Sequence, residues 1–467
     1  MTSNTQAEPE AFQENTDQDY LSAVLEIVSY LRHNEVVTPE GKYWKVSPEP
    51  GNEYEGDLLI NRKGLYAGSS GIGQFFLQLH DVTGEDQYLQ EAKDAAEYIL
   101  NTYEGVDFFT KVLEGDAGGI WPLPGWGTSV YVGPAGEAIF LDQLYDKVPD
   151  ERYRAFLTRA ADDAIAAGTE DEKGLHWTEQ SDLMADGSYV FFFLYVYRRT
   201  GEQKYLDAAL KVLAFAETKA VRSPVGGVYY KNLDLTLAGF DSSDTVFPNF
   251  THGAAGTAYL NALVYEVTGE QQYLDRAKEV VKFLSAIAQG DEDGKLIPYL
   301  YNPDTGSFTD FFYLSTCHGP VGTTVLFRKL YELTGDDEYR TWVDQLSQGI
   351  LRTGAPLVHS PGYWNSFCLC CGAPGVLSHF VQAGEFLEQD NYLGEAKITA
   401  DKLLGDSYHD ETGRRWFAAW TRKNPGFVET YTGLYLGAAG AGTSLLYLYA
   451  HDRGITITPT LEYLFLK

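Results

Sequence analysis

Four cysteines in 467 residues are too few for a disulfide scaffold, and three of them, Cys368, Cys370 and Cys371, crowd into four positions. Basic side chains are also scarce, with 35 Lys and Arg against 66 Asp and Glu and a formal charge of −31. Phosphate recognition is built from Lys and Arg, so the balance argues against nucleic acid as a partner. It suits an acidic soluble surface and admits a cationic peptide as substrate. No apolar run reaches the roughly 18 residues of a membrane span, and the N-terminus shows no basic-then-apolar signal pattern. The expectation is a cytoplasmic protein, in which crowded cysteines point to metal or redox chemistry.

What the chain has in quantity is a glycine phrase. It reads Gly68-Ser-Ser-Gly71, Gly133-Pro-Ala-Gly136, Asp186-Gly-Ser-Tyr189 (eroded), Gly253-Ala-Ala-Gly256, Gly319-Pro-Val-Gly322, Gly372-Ala-Pro-Gly375 and Gly437-Ala-Ala-Gly440. Self-similarity over nearly the whole length outranks any local motif and predicts one large closed domain. Each phrase opens an apolar segment of helical length. Several are followed by a turn signature, as in Thr83-Gly-Glu, Thr200-Gly-Glu, Thr268-Gly-Glu and Thr334-Gly-Asp. The next segment is amphipathic: Leu274, Ala277, Val280, Val281 and Leu284 recur at helical spacing.

A helix apolar all round must be buried, and a half-polar one sits outside it. Seven such pairs predict an all-α fold, an α/α toroid with inner and outer helical rings. The last inner helix, near Gly440–Ala450, has no outer partner after it, while the amphipathic stretch Asp19–Leu31 has no inner one before it. The two should meet and close the ring. Residues 1–18 are polar and acidic and read as a disordered leading segment, leaving 19–467 as the domain.

The chemistry sits beside the phrases. Cys317 lies two residues before the fifth, and Cys370 and Cys371 lie two and one before the sixth. A single cysteine there would be a packing residue; three at the same repeat position, in neighbouring hairpins, point to a metal ion. Zinc prefers thiolate and imidazole and, when catalytic, keeps three protein ligands with one open position. Cys368 is the leftover thiol, which could replace Cys370 as ligand. His252, immediately before the fourth phrase, is the best general acid or base beside such a cluster. His318 could ligate the metal, donate a proton or fill space. Asp182, ahead of the eroded third phrase, suits a base, an orienting partner for a histidine, or a helix cap.

With His252-Gly-Ala-Ala-Gly, Cys317-His-Gly-Pro-Val-Gly and Cys370-Cys-Gly-Ala-Pro-Gly in view, the chain resembles the lanthionine synthetase C-like family over essentially all seven hairpins. The resemblance implies an α/α toroid with Zn2+ at its centre. It also implies a cyclase that adds a peptide cysteine thiol across dehydroalanine or dehydrobutyrine to form a thioether ring. It further implies Cys317, Cys370 and Cys371 as zinc ligands, of the three-cysteine type, because Cys371 falls where most members carry histidine. His252 then matches the active-site histidine and Asp182 its acidic partner. Two positions depart from the pattern: Tyr313 stands where cyclases often have arginine, and His318 replaces the usual aromatic. The implied partners are a dehydrated precursor peptide and a separate dehydratase, since no kinase-like or dehydratase segment precedes the toroid. Two other readings compete. One is addition of glutathione or another small thiol to dehydroamino acids. The other is glycoside processing by carboxylates such as Asp57, Asp244 and Asp310 among aromatic loops.

Overall fold

Each glycine phrase starts a helix, and each Thr-Gly-acid signature turns the chain back. Gly84, Gly201, Gly269 and Gly335 hold φ between 68 and 73°, a left-handed region that strains any residue with a Cβ. The threonine before each one locks the turn. Thr83 donates its hydroxyl to Leu79 O at 2.8 Å and accepts the Glu85 amide at 3.2 Å. The same pair of bonds recurs at Thr200, Thr268 and Thr334.

The structure is a computed structural model that describes residues 17–48, 59–114, 126–236, 244–363, 366–419 and 428–466. The leading segment expected to be disordered lies outside the described residues as far as residue 16. In chain order the described helices are α1 (Asp17–His33) and α2 (Leu59–Lys63), then α3 and α4 (Ser69–Thr83, Asp86–Asn101) and α5 (Val106–Glu114). They continue with α6 and α7 (Pro134–Tyr145, Glu151–Ala167), α8 and α9 (Ser188–Thr200, Gln203–Glu217), and α10 and α11 (Ala254–Thr268, Gln271–Ile287). The last are α12 and α13 (Pro320–Thr334, Asp337–Arg352), α14 and α15 (Ala373–Leu387, Asp390–Gly405), and α16 (Ala438–His451).

Burial sorts them into two rings. In α14 every residue from Ala373 to Gly384 is buried, whereas α11 buries one face, which includes Leu274, Ala277, Val280, Val281 and Leu284. The inner ring is α3, α6, α8, α10, α12, α14 and α16. Each of the first six packs on the helix that follows it, and α16 packs on α1. The termini meet and the toroid closes, as the unpaired terminal helices predict.

The stretches that the sequence presents as irregular contain a repeated device. Antiparallel pairs form from β1 and β2 (Glu35–Thr38, Gly41–Trp44), β3 and β4 (Thr169–Asp171, Gly174–His176), and β5 and β6 (Ala220–Arg222, Val228–Tyr230). Further pairs are β7 and β8 (Gln289–Asp291, Gly294–Leu296), β9 and β10 (Tyr408–Asp410, Gly413–Arg415), and β11 and β12 (Ala418–Ala419, Val428–Glu429). The first five follow one outer helix and strap onto the next: β2 on α4, β4 on α9, β6 on α11, β8 on α13, and β10 on α1. Gly413 shows why a glycine stands there. At φ 117° a Cβ would fall 2.4 Å from both Glu26 O and Tyr30 N of α1.

One inner contact yields a pH prediction. His379 of α14 is buried, with Nε2 2.9 Å from Ser347 Oγ of α13 and Nδ1 3.4 Å from Thr324 Oγ1 of α12. Ser347 already donates to Val343 O, so it accepts from the imidazole. Burial, with help from Arg328, lowers the imidazole pKa from 6.5 to about 3. The unfolded chain therefore binds a proton that the folded one refuses. This contribution to stability is complete above pH 6.5 and is lost as pH falls from there toward 3. The loss is about 2 kcal/mol at pH 5. Thermal unfolding at pH 7 and pH 5 checks this: His379→Gln should lose less stability on acidification than the wild type. Equal losses would overturn it.

Candidate metal centre

The toroid's hairpins are stitched at one end by backbone hydrogen bonds, each passing from a hairpin to the next. Leu183 N donates to Thr251 O at 2.9 Å, Thr251 N to Cys317 O at 2.9 Å, and Cys317 N to Cys370 O at 3.1 Å. The series continues from Cys370 N to Tyr435 O at 3.4 Å, Tyr435 N to Tyr66 O at 2.9 Å, and Tyr66 N to Tyr131 O at 2.6 Å. At the seventh junction Val130 N donates instead to Ser188 Oγ at 3.2 Å. This ring is why two cysteines 53 positions apart (Cys317 and Cys370) stand side by side.

In the eroded third phrase Gly187 immediately precedes α8, and a Cβ there would meet Ser181 O at 2.3 Å. A Cβ on Gly133, Gly253 or Gly319 would make the same approach to Gly127 O, Phe247 O or Tyr313 O. Asp182 lies in the turn just ahead of Gly187, next to Leu183 of the hydrogen-bonded ring.

The Sγ atoms of Cys317, Cys370 and Cys371 all lie within 4.8 Å of one another. Among the described residues no other group of three His, Cys, Asp or Glu gathers as closely. Zinc–sulfur bonds of about 2.3 Å in a tetrahedral site put sulfurs about 3.8 Å apart, so this all-sulfur set fits a zinc ion. Cys370 Sγ is 3.3 Å from Cys371 Sγ and 3.5 Å from Cys368 Sγ. Cys368 adjoins the trio without joining it, and also touches Ser366 Oγ at 3.2 Å.

Four thiols this close cannot all ionise unaided. Hydrogen bonds from Cys370 and Cys371 hold Cys317 and Cys368 below the usual thiol range. Burial pushes Cys370 up, and the hydrogen bond to Cys317 pushes Cys371 up. A cation removes that conflict. Cys317 and Cys371 are half-buried while Cys370 and Cys368 are buried, so the cluster opens on the Cys317–Cys371 side.

Beside it lies the histidine pair. His252 Nδ1 is 3.5 Å from Asp182 Oδ1, whose other bond is to the Met184 amide at 2.7 Å. Asp182 is thus both the turn cap and the carboxylate facing His252. Burial opposes charge on His252, but Asp182 and the Cys317 sulfur outweigh it and hold the imidazole above its ordinary range. His318 stacks on His252, with centroids 5.0 Å apart and planes at 21°. It is walled by Phe247, Tyr299 and Tyr313 at 4.4, 4.9 and 5.3 Å. His318 stays outside the sulfur trio, so of its three expected roles the geometry leaves proton donation or packing. Asp244 and Asp310 are exposed, and Asp57 lies outside the described residues.

Residues 60–125 and 239–456 match the family model described as lanthionine synthetase C-like protein. The chain belongs to that family. Its fold is similar to that of nisin cyclase, at 15% identity and a TM-score of 0.59, over 87% of this chain and 92% of the cyclase. Fainter likenesses, at 12% identity and a TM-score of 0.47 over 94% of this chain, are to the GH76A α-1,6-mannanase from Salegentibacter sp. HEL1_6 and a sugar epimerase from a ruminal bacterium. No curated protein matches the chain. Among the described residues of this lanthionine synthetase C-like chain, no helix is long and apolar enough to cross a membrane.

Three features of the site were not read from the sequence. Tyr66 places its hydroxyl 2.7 Å from Cys370 Sγ, yet it shares a repeat place with the cysteines, and that shared place was the available signal. Glu462, from the C-terminal segment, and the wall of Phe247 and Tyr299 had no repeat signal at all.

Proposed function

We propose that the protein is a zinc-dependent, lanthionine synthetase-like cyclase that adds a peptide cysteine thiol to dehydroalanine or dehydrobutyrine. The observation that carries this reading is a trio of sulfurs from consecutive hairpins beside a His–Asp pair at one mouth of the toroid. Cys317, Cys370 and Cys371 would hold the zinc. When bound, zinc supplies an incoming thiol as thiolate near neutral pH, and three thiolate ligands keep that sulfur nucleophilic.

The substrate thiol approaches from the half-buried Cys317–Cys371 side. Its sulfur bonds to the β-carbon, and the double-bond electrons move onto the carbonyl as an enolate. Asp182 faces His252 Nδ1, which leaves Nε2 as the nitrogen that returns a proton to the α-carbon. Stacked His318 limits rotation of that ring. The inner-helix N-termini, gathered at the same end, favour the developing negative charge. The peptide would arrive already dehydrated by a separate dehydratase.

The test uses a dehydrated peptide with a single cysteine. Cyclisation leaves its mass unchanged but makes its thiol unreactive toward N-ethylmaleimide. A cysteine-free dehydrated peptide with glutathione distinguishes small-thiol addition, since its mass would grow by one glutathione. If zinc-loaded protein leaves both peptides unchanged, the reading fails.

A further inference from the structure

The C-terminal segment does more than end the chain. It enters the inner ring at the helix C-terminal end, where Thr458 N and Oγ1 donate to Asp81 Oδ2 at 2.8 and 2.7 Å. It then passes Gln78 and Gln74 of α3, whose side-chain amides donate to Thr458 O and Pro459 O at 2.8 and 2.6 Å. Phe465 packs edge-on against Phe191 at 4.5 Å. Between them Glu462 reaches the level of the cysteines. Its carboxylate accepts the Tyr435 hydroxyl at 2.8 Å and the Tyr131 hydroxyl at 3.1 Å. Tyr131 meets Tyr435 edge-on at 5.2 Å, and Tyr66 stacks on Tyr435 at 5.7 Å and 19°. Tyr66 in turn places its hydroxyl 2.7 Å from Cys370 Sγ.

We propose that Tyr66 is a positioning residue for Cys370, held in place by Glu462 through the tyrosine stack. The inference rests on the three-sulfur zinc reading and deepens it. A metal-bound sulfur is a thiolate and can only accept, so the phenol donates. The hydrogen bond has a chemical consequence. With three thiolates in the site, each ligand sulfur competes with the incoming thiol for the electrophilic carbon. Donation from Tyr66 draws electron density from Cys370, orients it, and favours the substrate sulfur as nucleophile.

The test is Tyr66→Phe in the full-length chain, which keeps the ring stack and removes only the donor. The variant should still bind one zinc but release it to a chromophoric chelator about ten- to a hundredfold more readily. In the cobalt-substituted protein its thiolate-to-metal absorption should move to lower energy. Glu462→Gln, which replaces one of the two accepting oxygens with an amide NH2 while Tyr131 and Tyr435 each face a different one, should shift both readouts the same way by less. It also serves if the first variant does not fold. Chelator release within twofold of wild type and an unmoved cobalt band in both variants would overturn the proposal while leaving the zinc reading intact. A wild-type protein that takes up neither metal would sink the zinc reading itself.

Discussion

Cys371→Ala is expected to cut bound zinc from about one per chain to less than roughly 0.2 after dialysis against a chelator. Removing one sulfur of three leaves two ligands and water to hold a cation whose affinity depends on thiolate count. Cys368 cannot substitute without moving, because it lies against Cys370, Cys371 and Ser366 but outside the group that gathers with Cys317. Metal analysis of the purified variant is the check, and undiminished zinc would refute the ligand assignment. Since a bound metal would also resolve the mutual repulsion of the sulfurs, the variant should unfold at a temperature that no longer rises when zinc is added.

His252→Ala should separate metal binding from chemistry. The side chain lies outside the sulfur trio, so zinc content should stay near one per chain. Thioether formation should fall by about 10² to 10⁴, the usual share of a positioned proton donor. Thioether yield by the maleimide assay, alongside metal analysis, reads both. Turnover within a few-fold of wild type would move the proton-transfer role to stacked His318. Asp182→Asn should reduce turnover less, since it keeps the bond to the Met184 amide but loses the charge that faces His252.

Much of the ring was legible because it is written locally. The Thr-Gly-acid turns state where one helix ends, and the apolar spacing of α11 states which face is buried. The seven phrases also state that the units are equivalent. The bringing together of Cys317, Cys370 and Cys371 followed from the repeat place that Cys317 and Cys370 share, with Cys371 next to it.

The strap hairpins were illegible for a different reason. Strands of two to four residues carry too few positions to show alternation, and Gly41, Gly174, Gly227 and Gly413 are needed because each combines a positive φ with a helix lying directly beneath it. Glu462 is the extreme case. A lone acidic residue near the C-terminus reads as surface until the segment is seen to thread the ring and meet two buried hydroxyls.

Sequence by itself determined the toroid, its closure through α1, and the repeat place at which the sulfurs lie, because those depend on periodicity and local turn chemistry. Only the tertiary structure decided that His252 faces Asp182, that His318 sits in an aromatic wall, and that Tyr66 and Glu462 stand behind Cys370. Those contacts join residues tens to hundreds of positions apart, and side-chain direction across such gaps is set by packing, which no local pattern encodes.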